Sequence, residues 1–159
     1  MNAFKGTVHA KTDVKGRVFI PAAFRKILQS SEESCLILRK DVFKDCLVLC
    51  LESTWNENLN ELRQRLNEWD EEEQELYRSI SATVEDVELD SSGRVLIPKK
   101  YLQAAKISNA VCFVGMNRHI EIWNPDQFNK ALLSADDLKI NVRKFLSNSR
   151  RTNENSGQL

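Results

Sequence analysis

The chain has 159 residues, with 23 Lys and Arg against 23 Asp and Glu, 42% hydrophobic residues and few Gly or Pro. This is the composition of a soluble globular protein with a core, and it is too neutral for one whose whole surface attracts nucleic acid. Nowhere do about 18 apolar residues run together, and no apolar run follows a basic patch in "MNAFKGTVHAKTD", so the expectation is a cytoplasmic protein with neither membrane span nor signal peptide.

The first thirty residues are basic: Lys5, Lys11, Lys15, Arg17, Arg25 and Lys26 accompany the single acid Asp13. "FKGTVHAKTD" reads as a strand entering a turn at "DVKGR", where Gly16 can take a positive φ without a Cβ clash. "RVFI" leaves the turn as a second strand. Pro21 then opens the short helix "PAAFRKIL", because its fixed φ suits a first helical position and its missing N–H is not needed there. Two more strands follow, "SCLILRK" and "DCLVLCL". The next helix is expected to open with a capping box from Thr54 to Glu57. Its Trp55, Leu59, Leu62, Leu66 and Trp69 step by four, three, four and three, the pattern of a core or partner-packing stripe. The acidic "DEEEQELYRSI" starts another helix, with Leu76 and Ile80 facing inward and the carboxylates solvated near the N-terminus, where the helix dipole favours them.

The same order then returns. "DSSGRVLIP" at 90–98 repeats "DVKGRVFIP" at 13–21, an offset of 77 (90 − 13), with Asp, Gly, Arg, Val, Ile and Pro identical. The offset also pairs Phe24 with Tyr101 and Cys35 with Cys112. Four fewer residues in the second half then bring "HIEIWNPDQF" over "CLVLCLESTW", pairing Trp55 with Phe128. Two copies of one unit follow, residues 1–80 and 81–146, each with a helical extension. In the second copy the strands are "SATVEDVELD", "RVLI", "AVCFVG" and "HIEIWN", with the helix "PKKYLQAA" after Pro98. Asn124, Pro125 and Gln127 form an N-cap signature for "PDQFNKALL". A last amphipathic stretch carries Leu138, Val142, Phe145 and Leu146 on one side, and residues 147–159 read as a polar, disordered tail.

Cys35, Cys46, Cys50 and Cys112 lie in apolar runs without C-x-x-C spacing and read as buried, reduced thiols rather than metal ligands. His9 and His119 are the only histidines and join no nucleophile or carboxylate pair, and the five glycines form no phosphate loop. No cofactor, metal or catalytic residue is expected, and the chain reads as a non-enzyme.

The chemistry lies in the repeated turn. An Arg just beyond the Gly carries a planar fork of donors suited to a phosphate or to the O6 and N7 edge of guanine. Two roles are open for Arg17 and Arg94: contact with DNA, or pairing with Asp13 and Asp90, within a turn or across the two copies, to hold the hairpin shut. Lys11, Lys15, Arg25, Lys26, Lys99 and Lys100 are candidate phosphate contacts. Glu85, Asp86 and Glu88, on the second approach strand, predict a poorer phosphate surface there than around Val8, His9 and Lys11.

Two D-x-x-G-R-x-x-x-P units in one small chain resemble the MraZ family of bacterial regulators, related to AbrB, over roughly residues 1–146. The signature falls on Asp13, Gly16, Arg17 and Pro21, and on Asp90, Gly93, Arg94 and Pro98. The resemblance implies a mainly β, α+β fold: a pseudo-dimeric split β-barrel of two β-β-α-β-β units with swapped hairpins. It implies a ring-shaped homo-oligomer, nucleoid-associated, that binds short repeats in double-stranded DNA upstream of the division and cell wall gene cluster and represses transcription. On that basis Arg17 and Arg94 are DNA contacts, with Asp13 and Asp90 as orienting residues. Two rival readings keep the same barrel: an antitoxin-like module that sequesters a protein partner, and a scaffold ring without sequence-specific DNA binding.

Overall fold

The computed structural model describes residues 3–156, with side chains through position 148. Both repeats give a strand, turn, strand and helix, then a hairpin and a further helix. The first holds β1 (Thr7–Lys11), β2 (Arg17–Phe19), α1 (Ala22–Ser30), β3 (Leu36–Lys40), β4 (Leu47–Leu51), α2 (Glu52–Arg65) and α3 (Glu71–Ser81). The second holds β5 (Val84–Val87), β6 (Arg94–Leu96), α4 (Lys99–Ala104), β7 (Ala110–Gly115), β8 (Ile120–Trp123), α5 (Pro125–Ala131) and α6 (Ala135–Ser156). The fold is mixed α and β, as expected.

The strands pair across the repeats. A six-stranded antiparallel sheet runs β1-β7-β8-β4-β3-β5, and β2 pairs with β6 in a separate two-stranded ribbon. The first strand of each repeat therefore lies against the other repeat's hairpin: Thr7 faces Val114, and Val87 faces Leu36. In the ribbon Val18 faces Val95, and both are buried. Together with Ile20 and Ile97 they pack on Leu38, Leu49, Phe113 and Ile122 of the large sheet, while Phe24 and Tyr101 close the core from α1 and α4. Burial of such side chains contributes about 1.5–3 kcal/mol each, so these shared contacts bind the repeats together.

The strand registers correct one expectation. Cys35 does not correspond to Cys112. Leu36 faces Leu51 on β4, whereas Val114 faces Glu121 and Cys112 faces Trp123 on β8, which matches Ile37 to Cys112 at an offset of 75 (112 − 37). Two of the four missing residues are therefore lost before β7, where α4 is shorter than α1, and two in the β7–β8 hairpin. Two satellite clusters follow the corrected match. Ile37, Cys50 and Trp55 pack together in the first repeat, and Cys112, Trp123 and Phe128 in the second. The large aromatic sits on α2 in one copy and on β8 in the other.

Helix boundaries differ from expectation in places. No capping box forms at Thr54: α2 starts at Glu52, and the Glu33 carboxylate caps it from outside, accepting from the Ser53 N–H at 2.9 Å and its hydroxyl at 2.7 Å. The apolar stripe holds for Trp55 and Leu59, but α2 ends at Arg65, so Trp69 falls in the following turn and is 93% exposed. Ile80 packs inward as expected and Leu76 does not. Asp70 caps α3, its side chain accepting from the Glu73 N–H. Asn124 caps α5 as expected, accepting from Asp126 and Gln127.

Residues through Phe128 form one compact unit that contains the strands of both repeats, and Asn129 onward a second. In the second unit α6 runs to Ser156, through stretches read from composition as a disordered tail. Side chains from 149 on, Arg150 and Arg151 included, and residues 157–159 lie outside the described residues. Among the described residues no helix is long and apolar enough to cross a membrane.

Candidate nucleic-acid interface

Each repeat builds the same turn atom for atom. Asp13 closes it by donating its N–H to the Arg17 carbonyl at 2.8 Å, while Gly16 donates to the Asp13 carbonyl at 3.0 Å. One carboxylate oxygen of Asp13 accepts from the backbone of Lys15 at 3.0 Å and of Arg17 at 2.9 Å, and the other accepts from Arg17 Nε at 2.7 Å. Asp90 repeats this with Ser92, Arg94 and Arg94 Nε at 2.9, 2.9 and 2.8 Å. The Arg17 backbone N–H above all, and then its guanidinium, hold the Asp13 carboxyl below the ordinary 3.8, and Arg94 does the same to Asp90. The aspartates thus stay charged and lock the arginines at Nε. Pairing within the turn and availability to a ligand are compatible here, because Nε is one of five donors and the terminal nitrogens carry the other four.

The ribbon register sets the arginines on one face. Arg17 faces Leu96 and Phe19 faces Arg94, while Val18 and Val95 point into the core. Arg17 and Arg94 are diagonal neighbours across the ribbon, a relation that spans about 7–8 Å. The Arg94 guanidinium lies over the Phe19 ring, 5.7 Å from its centroid, a cation–π contact that fixes its plane. Phe19 and Leu96 are 56% and 53% exposed on this face. Sequence reasoning missed both, although the alternation of "RVFI" and "RVLI" places them beside the arginines.

The two turns borrow charge from each other's repeat. Gly93 has φ +85°, and a Cβ there would come within 2.6 Å of Arg25 Cδ, so the α1 side chain crosses to the second turn. Arg25 is steadied there by donating to the Ile20 carbonyl at 3.3 Å. Its counterpart at offset 77 is Leu102, which lies against Gly16. At the first turn Lys15 and Lys99 line one cavity of about 510 Å³ with Asp13, Gly16 and Leu102. The second turn, expected to be poor in charge, therefore gains Arg25 from the first repeat. Lys100 is engaged differently: it pairs with Glu85, which raises its pKa, and lies over the Tyr101 ring at 5.2 Å. Lys11, at the end of β1, and Lys26, on α1, are exposed. Pro21 and Pro98 stand at the N-caps of α1 and α4, one position ahead of the expected first helical residue.

Among the described residues one group of possible metal ligands gathers within 4.8 Å, Cys35, Glu52 and Asp86. Glu52, then burial and Asp86, push the Cys35 thiol up to about 12, and its Sγ donates to the Leu36 carbonyl at 3.7 Å. Cys46, Cys50 and Cys112 are buried, and burial raises each thiol, Cys50 to about 11. Cys35 is only half-buried, a departure from the expected four buried thiols.

Comparison with known proteins agrees with this doubled turn. A family model described as "MraZ protein, putative antitoxin-like" matches residues 3–79 and 80–144, one match per repeat. The chain is 46% identical over 155 residues to a Bacteroides fragilis protein named "Transcriptional regulator MraZ", covering 98% of each. A Phocaeicola vulgatus protein of the same name is 50% identical over 134 residues, 84% of this chain and 87% of its own. A Cytophaga hutchinsonii protein, also so named, is 32% identical over 133 residues, with the same two coverages. With the signature turn in both repeats and matches over most of its length, the chain belongs to the MraZ family.

Proposed function

We propose that this chain is a sequence-specific DNA-binding transcriptional regulator, a repressor acting at short promoter repeats of the division and cell wall gene cluster. It is not an enzyme, and it works in the cytoplasm as a nucleoid-associated, ring-shaped homo-oligomer. Each chain is a pseudo-dimeric split barrel with swapped hairpins, a reading supported by the cross-repeat pairing of β1 with β7 and of β5 with β3.

The observation that carries the reading is the outer face of the β2–β6 ribbon, where two Asp-locked arginines stand diagonally on one rigid platform. A two-stranded ribbon fits the major groove of B-DNA, and a pre-oriented guanidinium can take a guanine edge or a phosphate. Lys15, Lys99, Arg25, Lys11 and Lys26 are proposed as phosphate contacts around it. Lys100, held by Glu85, contributes less. The names of the relatives support a regulatory role.

The test is a titration of the chain against a labelled fragment of its own upstream promoter at several salt concentrations. Arg17→Ala and Arg94→Ala should each weaken binding by about 10- to 100-fold and relax base preference. Lys15→Ala should weaken binding to all sequences alike and reduce the salt slope by about 1. Equal affinity for promoter and unrelated DNA in the parent would favour the protein-interaction reading instead.

A further inference from the structure

The outer face of the ribbon carries two side chains that neither the core nor the charge pattern explains. Phe19 and Leu96 hold the same place in the two repeats, 77 positions apart (96 − 19), each two residues after its repeat's arginine. Val18 and Val95, which separate them from Arg17 and Arg94, are buried, so strand alternation turns Phe19 and Leu96 outward with the arginines. Neither packs on any of the buried clusters. One exposed apolar side chain is ordinary on a protein surface. Here both copies of the unit place one on the same short ribbon, and each stands directly opposite an arginine: Phe19 faces Arg94 and Leu96 faces Arg17.

The major groove offers a counterpart to each kind of side chain. Guanine presents O6 and N7 acceptors to an arginine, and thymine presents a 5-methyl group that takes apolar contacts. Directly opposed residues of a ribbon stand about 4.5–5.5 Å apart at Cβ, and base pairs follow one another at about 3.4 Å. An arginine and the apolar side chain facing it therefore reach neighbouring base pairs. The Arg94–Phe19 pair is assembled in advance for this: the guanidinium lies 5.7 Å from the ring centroid while Asp90 holds its Nε at 2.8 Å. Leu96 has a less favourable setting, because it shares a groove of about 410 Å³ with Glu85, Asp86 and Glu88, whose carboxylates repel phosphates.

From this arrangement we infer that Phe19 and Leu96 read the 5-methyl groups of thymines next to the guanines held by Arg94 and Arg17, Phe19 more strongly than Leu96. The inference rests on the DNA-binding regulator proposed above and names two specificity-determining residues of the same face. Each pair of arginine and apolar side chain then selects a guanine with an adjacent thymine.

The test compares the chain's own promoter fragment with the same fragment carrying deoxyuridine at every thymine, which removes the methyl groups and leaves the O4 acceptors. By fluorescence anisotropy the full chain should bind the deoxyuridine fragment about 3- to 10-fold more weakly, since each covered methyl group is worth about fourfold. Phe19→Ala, checked for native circular dichroism, should remove most of this ratio, Leu96→Ala less of it, and the two together all of it. Phe19→Leu, which keeps an apolar group and loses the ring, should retain it. The ratio is the readout because Phe19→Ala also frees the Arg94 guanidinium, and a purely structural role for the ring would weaken binding to both fragments alike. Equal binding of the two fragments by the parent, or a ratio that the double variant leaves unchanged, would overturn the inference. Promoter preference that persists without any dependence on the methyl groups would overturn it and leave the regulator reading standing, whereas a parent that does not prefer its promoter to unrelated DNA would remove both.

Discussion

Asp13 and Asp90 show how one side chain sets both geometry and charge. Each carboxylate accepts two backbone N–H groups and an Arg Nε, so the turn and the guanidinium are positioned by a single residue. The folded-state pKa is lowered, so the stability these groups supply is complete above the ordinary carboxylate value of 3.8 and is lost as the pH falls through the lowered one. Asp13→Asn with Asp90→Asn should therefore destabilise the chain at neutral pH and flatten the acid limb of its stability curve, measured by urea unfolding from pH 7 downwards. An unchanged acid limb would assign that limb to other carboxylates. The two glycines separate by what surrounds them. Both have positive φ, which costs a non-glycine residue about 1–3 kcal/mol. A Cβ at Gly16 would also come within 2.7 Å of the Ile97 carbonyl oxygen, which is fixed backbone, whereas at Gly93 it meets the movable Arg25 side chain. Gly16→Ala should lower the melting temperature more than Gly93→Ala, and Gly93→Ala should instead dislodge Arg25 and weaken DNA binding.

At the scale of elements, the α2 and α5 helices are fastened by clusters that correspond in position but not in residue type. Trp55, 7% exposed, packs against Ile37 and Cys50, and Phe128, only half-buried, packs on Trp123 with ring centroids 5.8 Å apart. Trp55→Ala should cost about 3–5 kcal/mol and Phe128→Ala less, because Trp123 still fills the second site; denaturant midpoints measure the difference. Much of this level was legible in the sequence. The turn residues, Pro21, Pro98 and the alternating "RVFI" located the ribbon strands, since turn chemistry and period-two patterning are local signals. The register of β3 against β7 was not, because Cys35 and Cys112 look alike and only cross-strand pairing shows that Ile37 occupies the matching place. The start of α2 was missed for a similar reason: its cap, Glu33, is twenty residues away in the chain. Arg25 at the second turn and Lys100 on Glu85 are likewise contacts that no sequence spacing encodes.

For the whole molecule, each chain presents one ribbon face with few charges, which predicts modest affinity for a single site. A ring that presents several such faces gains through effective concentration, by about 10²-fold or more when two sites are held at a matching span. A promoter fragment with adjacent repeats should therefore bind far more tightly than one with a single repeat, and fluorescence anisotropy on the two fragments measures the ratio. Equal dissociation constants would mean that one face acts alone.

The exchange of first strands has a consequence for how the chain is made. β1 finds its partner only in β7, about a hundred positions later, and pairs such as Thr7 with Val114 raise the mean separation of contacts and so slow folding. During synthesis the amino-terminal strand waits as an open edge until residue 115 has left the ribosome, a period in which a neighbouring nascent chain can supply the missing hairpin. The duplication that places both turns in one chain thus makes the correct partner the nearest one, while leaving intermolecular strand exchange as the characteristic error of its assembly.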